Sequence, residues 1–169
     1  MQTSTVARIL VLGAFFGLFV SSAAYASGTI LADKVLVIKN EKLLLLLRNG
    51  KILKSYRVST GRNPGRRIRR GDNRTPEGRY VIDGRNPRSS YYKALHISYP
   101  NASDVRNARR LGVSPGEEVL IHGLPSGFED LGASQADLNW TRGCIAVSNE
   151  EMDEIWQLVA DGTPVRIIP

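Results

Sequence analysis

Leu43-Leu44-Leu45-Leu46-Leu47-Arg48-Asn49-Gly50-Lys51-Ile52-Leu53-Lys54-Ser55-Tyr56-Arg57-Val58 is the stretch that decides the fold. Five consecutive leucines have helical propensity. The run is short, however, and turn residues flank it on both sides, which favours a buried strand. Asn49-Gly50 is a two-residue hairpin signal, because both central positions of a type I′ turn need positive φ. A further apolar run, Val35 to Ile38, lies just upstream, separated from the leucines by Asn40 and Glu41. Residues 35–58 therefore read as a three-stranded antiparallel meander.

Further along, Gly61 to Arg79 is a long loop with seven Arg against Asp72 and Glu77. It contains the turn Thr75-Pro76-Glu77-Gly78. Arg79 to Ile82 reads as a strand, Asp83 to Ser90 as a loop, and Tyr91 to Tyr99 as a loosely alternating stretch. Asp104 to Arg110 has the pattern of a short helix. Val119 to Ile121 is a short strand ending at His122. Gly123 to Trp140 has no period and reads as a long active-site loop. Ser148 to Ala160 is the clearest helix: Ser148 and Glu151 form a capping-box pattern, and Met152, Ile155, Trp156 and Val159 share one face. Val165 to Ile168 is a terminal strand. The expectation is one mostly-β (α+β) domain, a β-sandwich or barrel, with one C-terminal helix and a short closing strand.

Composition supports a single domain over residues 27–169. The chain has 169 residues, 42% hydrophobic and 23% charged, which excludes wholesale disorder. One Cys permits no intramolecular disulfide and no four-cysteine zinc site, and two His leave little for a metal. No metal or organic cofactor is expected. The net charge of +7 is uneven. Residues 27–116 carry 20 Lys/Arg against 6 Asp/Glu, whereas residues 117–169 carry 2 against 10. The acidic last third and the lack of nucleic-acid-binding signatures argue against a nucleic-acid partner. The Arg-rich loop 62–74 is either a solvated loop or a steering surface for an anionic polymer.

Residues 1–26 read as a cleaved signal peptide. Arg8 precedes a twelve-residue apolar run, Ile9 to Val20, and Ala24-Tyr25-Ala26 resembles a cleavage site. The run is shorter than the ~20 residues a spanning helix needs. The expectation is an exported monomer, in a periplasm, a cell wall or the medium, with no membrane anchor after cleavage.

Two residues carry candidate chemistry. His122 ends an apolar strand and precedes Gly123. Cys144 follows 22 residues later in Thr141-Arg142-Gly143-Cys144-Ile145. A thiol beside an imidazole can attack a carbonyl, and glycine lets substrate approach backbone N–H donors. Gly143, with the N–H of Cys144, is placed to serve such an oxyanion. With no acidic partner evident, a main-chain carbonyl can orient His122. Against this, a lone Cys is often a small buried hydrophobe and a lone His at a strand end is often structural. His96, between Leu95 and Ile97, reads as a structural or surface residue. Tyr91, Tyr92 and Phe128 fit a pocket or the core equally, and Trp140 either lines the groove or joins the core.

Ile121-His122-Gly123, a loop, and then Thr141-Arg142-Gly143-Cys144-Ile145 resemble the active-site signature of the L,D-transpeptidase (YkuD-domain) family. Gly61 and Thr75-Pro76-Glu77-Gly78-Arg79-Tyr80 resemble a second stretch of that family. The likeness covers about residues 33–168. It implies a mostly-β fold with the cysteine in a groove, and acyl transfer on peptidoglycan stem peptides. Carried over, Cys144 is the nucleophile, His122 the general base and acid, the Gly123 carbonyl the group that orients His122, and Gly143 an oxyanion donor. Thr141, Arg142 and Trp140 are the candidate substrate-binding residues.

Two positions depart from the family pattern. Many members have His where this chain has Arg142, and many have Arg, some Asn, where it has Ala146. Donor and acceptor specificity are open on that account. Two rivals stand beside transpeptidation. One keeps the Cys–His pair but uses water as acceptor, an L,D-carboxypeptidase. The other is a non-catalytic wall-binding domain.

Overall fold

A computed structural model describes residues 30–169; the expected signal segment, 1–26, lies outside the described residues. The elements run β1 (Lys34–Ile38), β2 (Leu43–Arg48), β3 (Lys51–Arg57), β4 (Gly78–Ser89), β5 (Tyr92–Ile97), α1 (Ala102–Arg110), β6 (Val119–His122), β7 (Ile145–Ala146), α2 (Asn149–Leu158) and β8 (Pro164–Ile168). The eight strands form one mixed sheet in the order β3-β2-β1-β8-β4-β5-β6-β7. Two neighbouring pairs are parallel, β1 with β8 and β6 with β7.

The meander forms as the sequence indicates. β1, β2 and β3 pair antiparallel, and Asn49 and Gly50 take φ of 51° and 74°. The leucine run resolves by the two-residue period of a strand. Leu44 and Leu46 are fully buried, while Leu43, Leu45 and Leu47 are only half-buried. The same alternation runs through β6. Val119 and Ile121 enter the core with Leu95, Ile97, Ile145 and, from α2, Met152 and Ile155. Leu120 and His122 therefore stand on the opposite face. Each fully buried Leu or Ile contributes about 1.5–3 kcal/mol, so inserting Ile121 in the core fixes which way His122 points.

The sheet is not a closed barrel. Its two ends are tied by two isolated bridges rather than by a ladder: Ser59 to Ala146, with backbone bonds of 3.0 and 2.9 Å, and Gly61 to Thr141. The short helix read at Asp104 to Arg110 forms as α1, beside the C-terminal α2. Asn101 and Asp104 make a full capping box that starts α1 two residues before Asp104. Short 3-10 turns over Glu129–Asp137 interrupt the long loop. β4 also continues through the stretch read as a loop, Asp83 to Ser89, because β-bulges absorb its irregular residues.

Ser148 caps α2 through the Glu151 N–H, and the Glu151 carboxylate accepts from the Ser148 N–H. Ser148→Ala removes one side of this box. The expected cost is about 1 kcal/mol, read as a fall in Tm of roughly 3 °C for a domain of this size.

Candidate active site

The site is built where β6 and β7 run side by side. Their register pairs Ile121 with Ile145 and His122 with Ala146. Cys144, two residues before Ala146, therefore falls on the same face as His122 and beside Leu120. The His122 Nδ1 lies 2.7 Å from the Gly123 carbonyl oxygen, which fixes Nδ1 as the protonated nitrogen and leaves Nε2 as the basic one. Burial pushes the His122 pKa down to about 4, opposed by the Gly123 hydrogen bond. The ring is neutral at neutral pH.

Cys144 is half-buried and free. Burial raises its thiol pKa; the Leu120 backbone N–H and the Arg67 guanidinium pull it down, and Glu118 pushes it up. The net direction is up. The resting pair is thus a neutral thiol with a neutral imidazole, not a preformed ion pair. Alkylation of Cys144 by iodoacetamide checks this. Because the raised pKa keeps the thiol protonated near neutrality, the rate should keep climbing past the ordinary thiol range. A plateau from mildly acidic pH upward would mean a preformed thiolate.

The turn before β7 is organised by Thr141. Its hydroxyl donates to the Cys144 carbonyl at 2.7 Å and accepts the Gly143 N–H at 3.1 Å. Its backbone pairs with Thr60 and Arg62. Thr141 is buried, and these contacts make it a brace for the turn. The Gly143 N–H points at the Thr141 hydroxyl. Glycine at 143 also has a steric reason. Its φ is +128°, and a Cβ there would sit 2.7 Å from the Arg74 carbonyl oxygen. Arg142 is exposed on the rim.

Trp140 is half-buried beside the candidate pair and lies outside the main apolar core. Its indole N–H donates to Gln135 at 3.1 Å, and its ring meets the His122 ring edge-on at 5.8 Å. It also lines a small apolar cavity of about 160 Å³ with Leu124, Phe128 and Leu138. Tyr91 packs on the imidazole at 4.5 Å between centroids and also neighbours Trp140 at 6.2 Å, so the three rings cluster. Gln135, fully buried, supports this wall by donating to the Ala146 carbonyl at 3.0 Å. Sequence reading missed it, because a Gln in an aperiodic loop carries no local signal.

The Arg-rich loop is ordered by two side chains. Lys39 reaches the Gly65 and Thr75 carbonyls and the Glu77 carboxylate, and Asp72 accepts from the backbone of Ile68, Arg69 and Arg74. This brings Arg67 over the Tyr99 ring at 4.9 Å and close to Gly143. Among the described residues, no three His, Cys, Asp or Glu side chains cluster as a metal site.

Comparison with known proteins agrees with this geometry. Residues 32–167 match the family model described as YkuD, the L,D-transpeptidase catalytic domain. The chain belongs to the L,D-transpeptidase catalytic-domain family. Among its relatives is YafK of Escherichia coli (strain K12), whose name assigns it provisionally to the L,D-transpeptidases. The two are 32% identical over 132 residues, 73% of this chain and 45% of YafK. A solved structure, the helical cell shape determining protein Pgp2 from Campylobacter jejuni, is 31% identical with a TM-score of 0.62. That match covers 79% of this chain and 46% of Pgp2. An L,D-transpeptidase from Mycobacterium smegmatis shares the fold at 16% identity, with a TM-score of 0.55 over 80% of this chain and 58% of its own. This L,D-transpeptidase domain spans about half the length of YafK and Pgp2.

Proposed function

We propose that this domain is a cysteine acyltransferase acting on peptidoglycan stem peptides outside the cytoplasm. The observation that carries the reading is the neutral His122, held by the Gly123 carbonyl with its Nε2 unprotonated, on the strand beside Cys144. The Cys144 sulfur attacks the amide between the third residue of the stem, at the L-centre of a diamino acid, and D-Ala at position four. Its proton passes to His122 Nε2 as the C–S bond forms. The Cys144 N–H donates to the developing oxyanion. The intermediate collapses as His122 returns the proton to the departing amine, D-Ala leaves, and a thioester remains. The side-chain amine of a second stem then takes the acyl group, giving a 3→3 cross-link.

The basic first part of the mature chain suits an anionic polymer, and the composition of residues 1–26 supports export. Pgp2 is described as determining helical cell shape, and a role in shaping the wall is the corresponding proposal for this chain. No cofactor takes part in this sequence of steps.

The test is product analysis with disaccharide-tetrapeptide as the sole substrate, wild type beside Cys144→Ala. Release of D-Ala together with a cross-linked dimer, by the wild type alone, is the expected result. Tripeptide without dimer makes water the acceptor. No D-Ala from either protein, with salt-sensitive binding to wall polymer, replaces the enzyme reading with wall binding.

A further inference from the structure

Beyond the Cys–His pair, a second histidine stands on the same face of the sheet. His96 on β5 pairs with Leu120 on β6. In the next strand, Cys144 lies beside Leu120, so His96 and Cys144 are two strand spacings apart, roughly 10 Å. A cavity of about 420 Å³ opens over this face, lined by His96, Gly84, Ala94, Tyr91, Leu120 and Glu118. Tyr91 also stacks on His122, so the cavity adjoins the Cys–His pair.

His96 is not an isolated ring. Its Nδ1 is hydrogen-bonded to Asp83 Oδ1. Asp83 is the extra residue of a bulge, since Ile82 pairs with Ile97 and Gly84 with His96. Bulges re-aim a side chain at the expense of one ladder position, and this one turns Asp83 onto His96. The pairing assigns the Nδ1 proton and leaves Nε2 as the basic nitrogen.

The cavity also carries an unpaired carboxylate. Among the described residues Glu118 has no hydrogen-bond or ion-pair partner, and it is held at φ +42°, a conformation uncommon for a side-chain-bearing residue. The one Arg on the lining, Arg85, is turned away. Its guanidinium contacts Asp161 at 2.9 Å and the Trp156 and Val159 carbonyls at the end of α2, and lies over the Trp156 ring. Glu118 thus faces a space that can take a cation, next to a base oriented by the Asp83 carboxylate.

We infer that this cavity is the subsite for the acceptor amine, and that His96, oriented by Asp83, takes the proton that makes that amine nucleophilic. The inference rests on the acyl-enzyme reading above and names its acceptor as a primary alkylammonium group. Such a group enters protonated and is drawn in by Glu118. An amine nitrogen over Leu120 lies between His96 and Cys144 and can meet both. One ammonium proton passes to His96 Nε2. The nitrogen lone pair attacks the Cys144 thioester carbon, the C–N bond forms and the C–S bond breaks. The second proton leaves nitrogen for His122 Nε2 and passes to the departing sulfur. His96 then releases its proton to solvent. Consumption of the free amine by the thioester draws the first transfer forward. Water needs no such step, since it binds uncharged.

His96→Gln and Asp83→Asn test this in reactions with disaccharide-tetrapeptide, scoring D-Ala, tripeptide and cross-linked dimer separately. In both variants D-Ala release should stay within about twofold of wild type, while the ratio of dimer to tripeptide falls tenfold or more. An unchanged ratio in both variants overturns the assignment. So does a parallel fall of D-Ala and dimer, which marks a structural role. A wild type that releases D-Ala but yields tripeptide alone overturns the amine subsite and leaves the acyl-enzyme standing. No D-Ala from the wild type overturns the acyl-enzyme reading and this inference with it.

Discussion

Cys144→Ala should reduce D-Ala release from a tetrapeptide donor by at least about 10³-fold while leaving the fold intact. Removing a nucleophile eliminates the covalent route and leaves only what binding and oxyanion donors supply. The fold should survive because Cys144 is half-buried at a turn, and the hydrogen bonds that hold that turn come from the Thr141 hydroxyl and the backbone. Loss of one sulfur from a half-buried position costs about 1 kcal/mol. A thermal midpoint within roughly 3 °C of wild type, with activity gone, assigns the thiol to chemistry. Retained turnover would assign it to packing, the reading a lone cysteine invites.

Gly143→Ala should damage both activity and stability, and for a geometric reason. The residue holds φ at +128°, and the added methyl carbon would stand 2.7 Å from the Arg74 carbonyl oxygen, which is backbone and cannot swing aside. Either the turn or the Thr75-bearing loop must move. A displacement of about 1 Å at the nucleophile can cost 10²-fold in rate, and the strained conformation adds about 1–3 kcal/mol to the loss of stability. Gly127→Ala is the matching control. Gly127 also has positive φ, +88°, but nothing lies within 4 Å of its added carbon. It should show the conformational cost alone, with activity near wild type. Steady-state kinetics and thermal unfolding of the pair separate clash from strain. Equal effects in the two variants would remove the close approach to Arg74 from the account.

Much of this was legible in the chain, and the limits have physical causes. Asn49-Gly50 marks a turn through local φ preference, and Ser148 with Glu151 marks a helix start through local hydrogen bonding. Both readings hold because the information lies within four residues. The residues left the group that orients His122 open as some main-chain carbonyl, and the family resemblance implied that of Gly123, which lies 2.7 Å from Nδ1. The bracing contacts of the Thr141 hydroxyl were not legible, because they exist only once Gly143 and Cys144 fold back over it. Gly84 and Pro87 made β4 look like a loop, yet bulges carry the strand through them, and only cross-strand pairing with β5 reveals it. β7 has two residues, too few for any period. His96 read as a lone residue because Asp83 reaches it only through a bulge, thirteen positions away. Sheet closure is likewise a long-range property: two isolated bridges, Ser59 to Ala146 and Gly61 to Thr141, join the ends instead of a ladder.

The central claim is that Cys144 carries the acyl group. The most direct measurement is mass spectrometry of the protein quenched in acid during turnover of disaccharide-tetrapeptide, with peptide mapping of residues 141–149. The account predicts an adduct equal to the donor less D-Ala, on Cys144 in the wild type and absent from Cys144→Ala. D-Ala release with Cys144 unmodified at every quench time, or an adduct on any other residue, would contradict it.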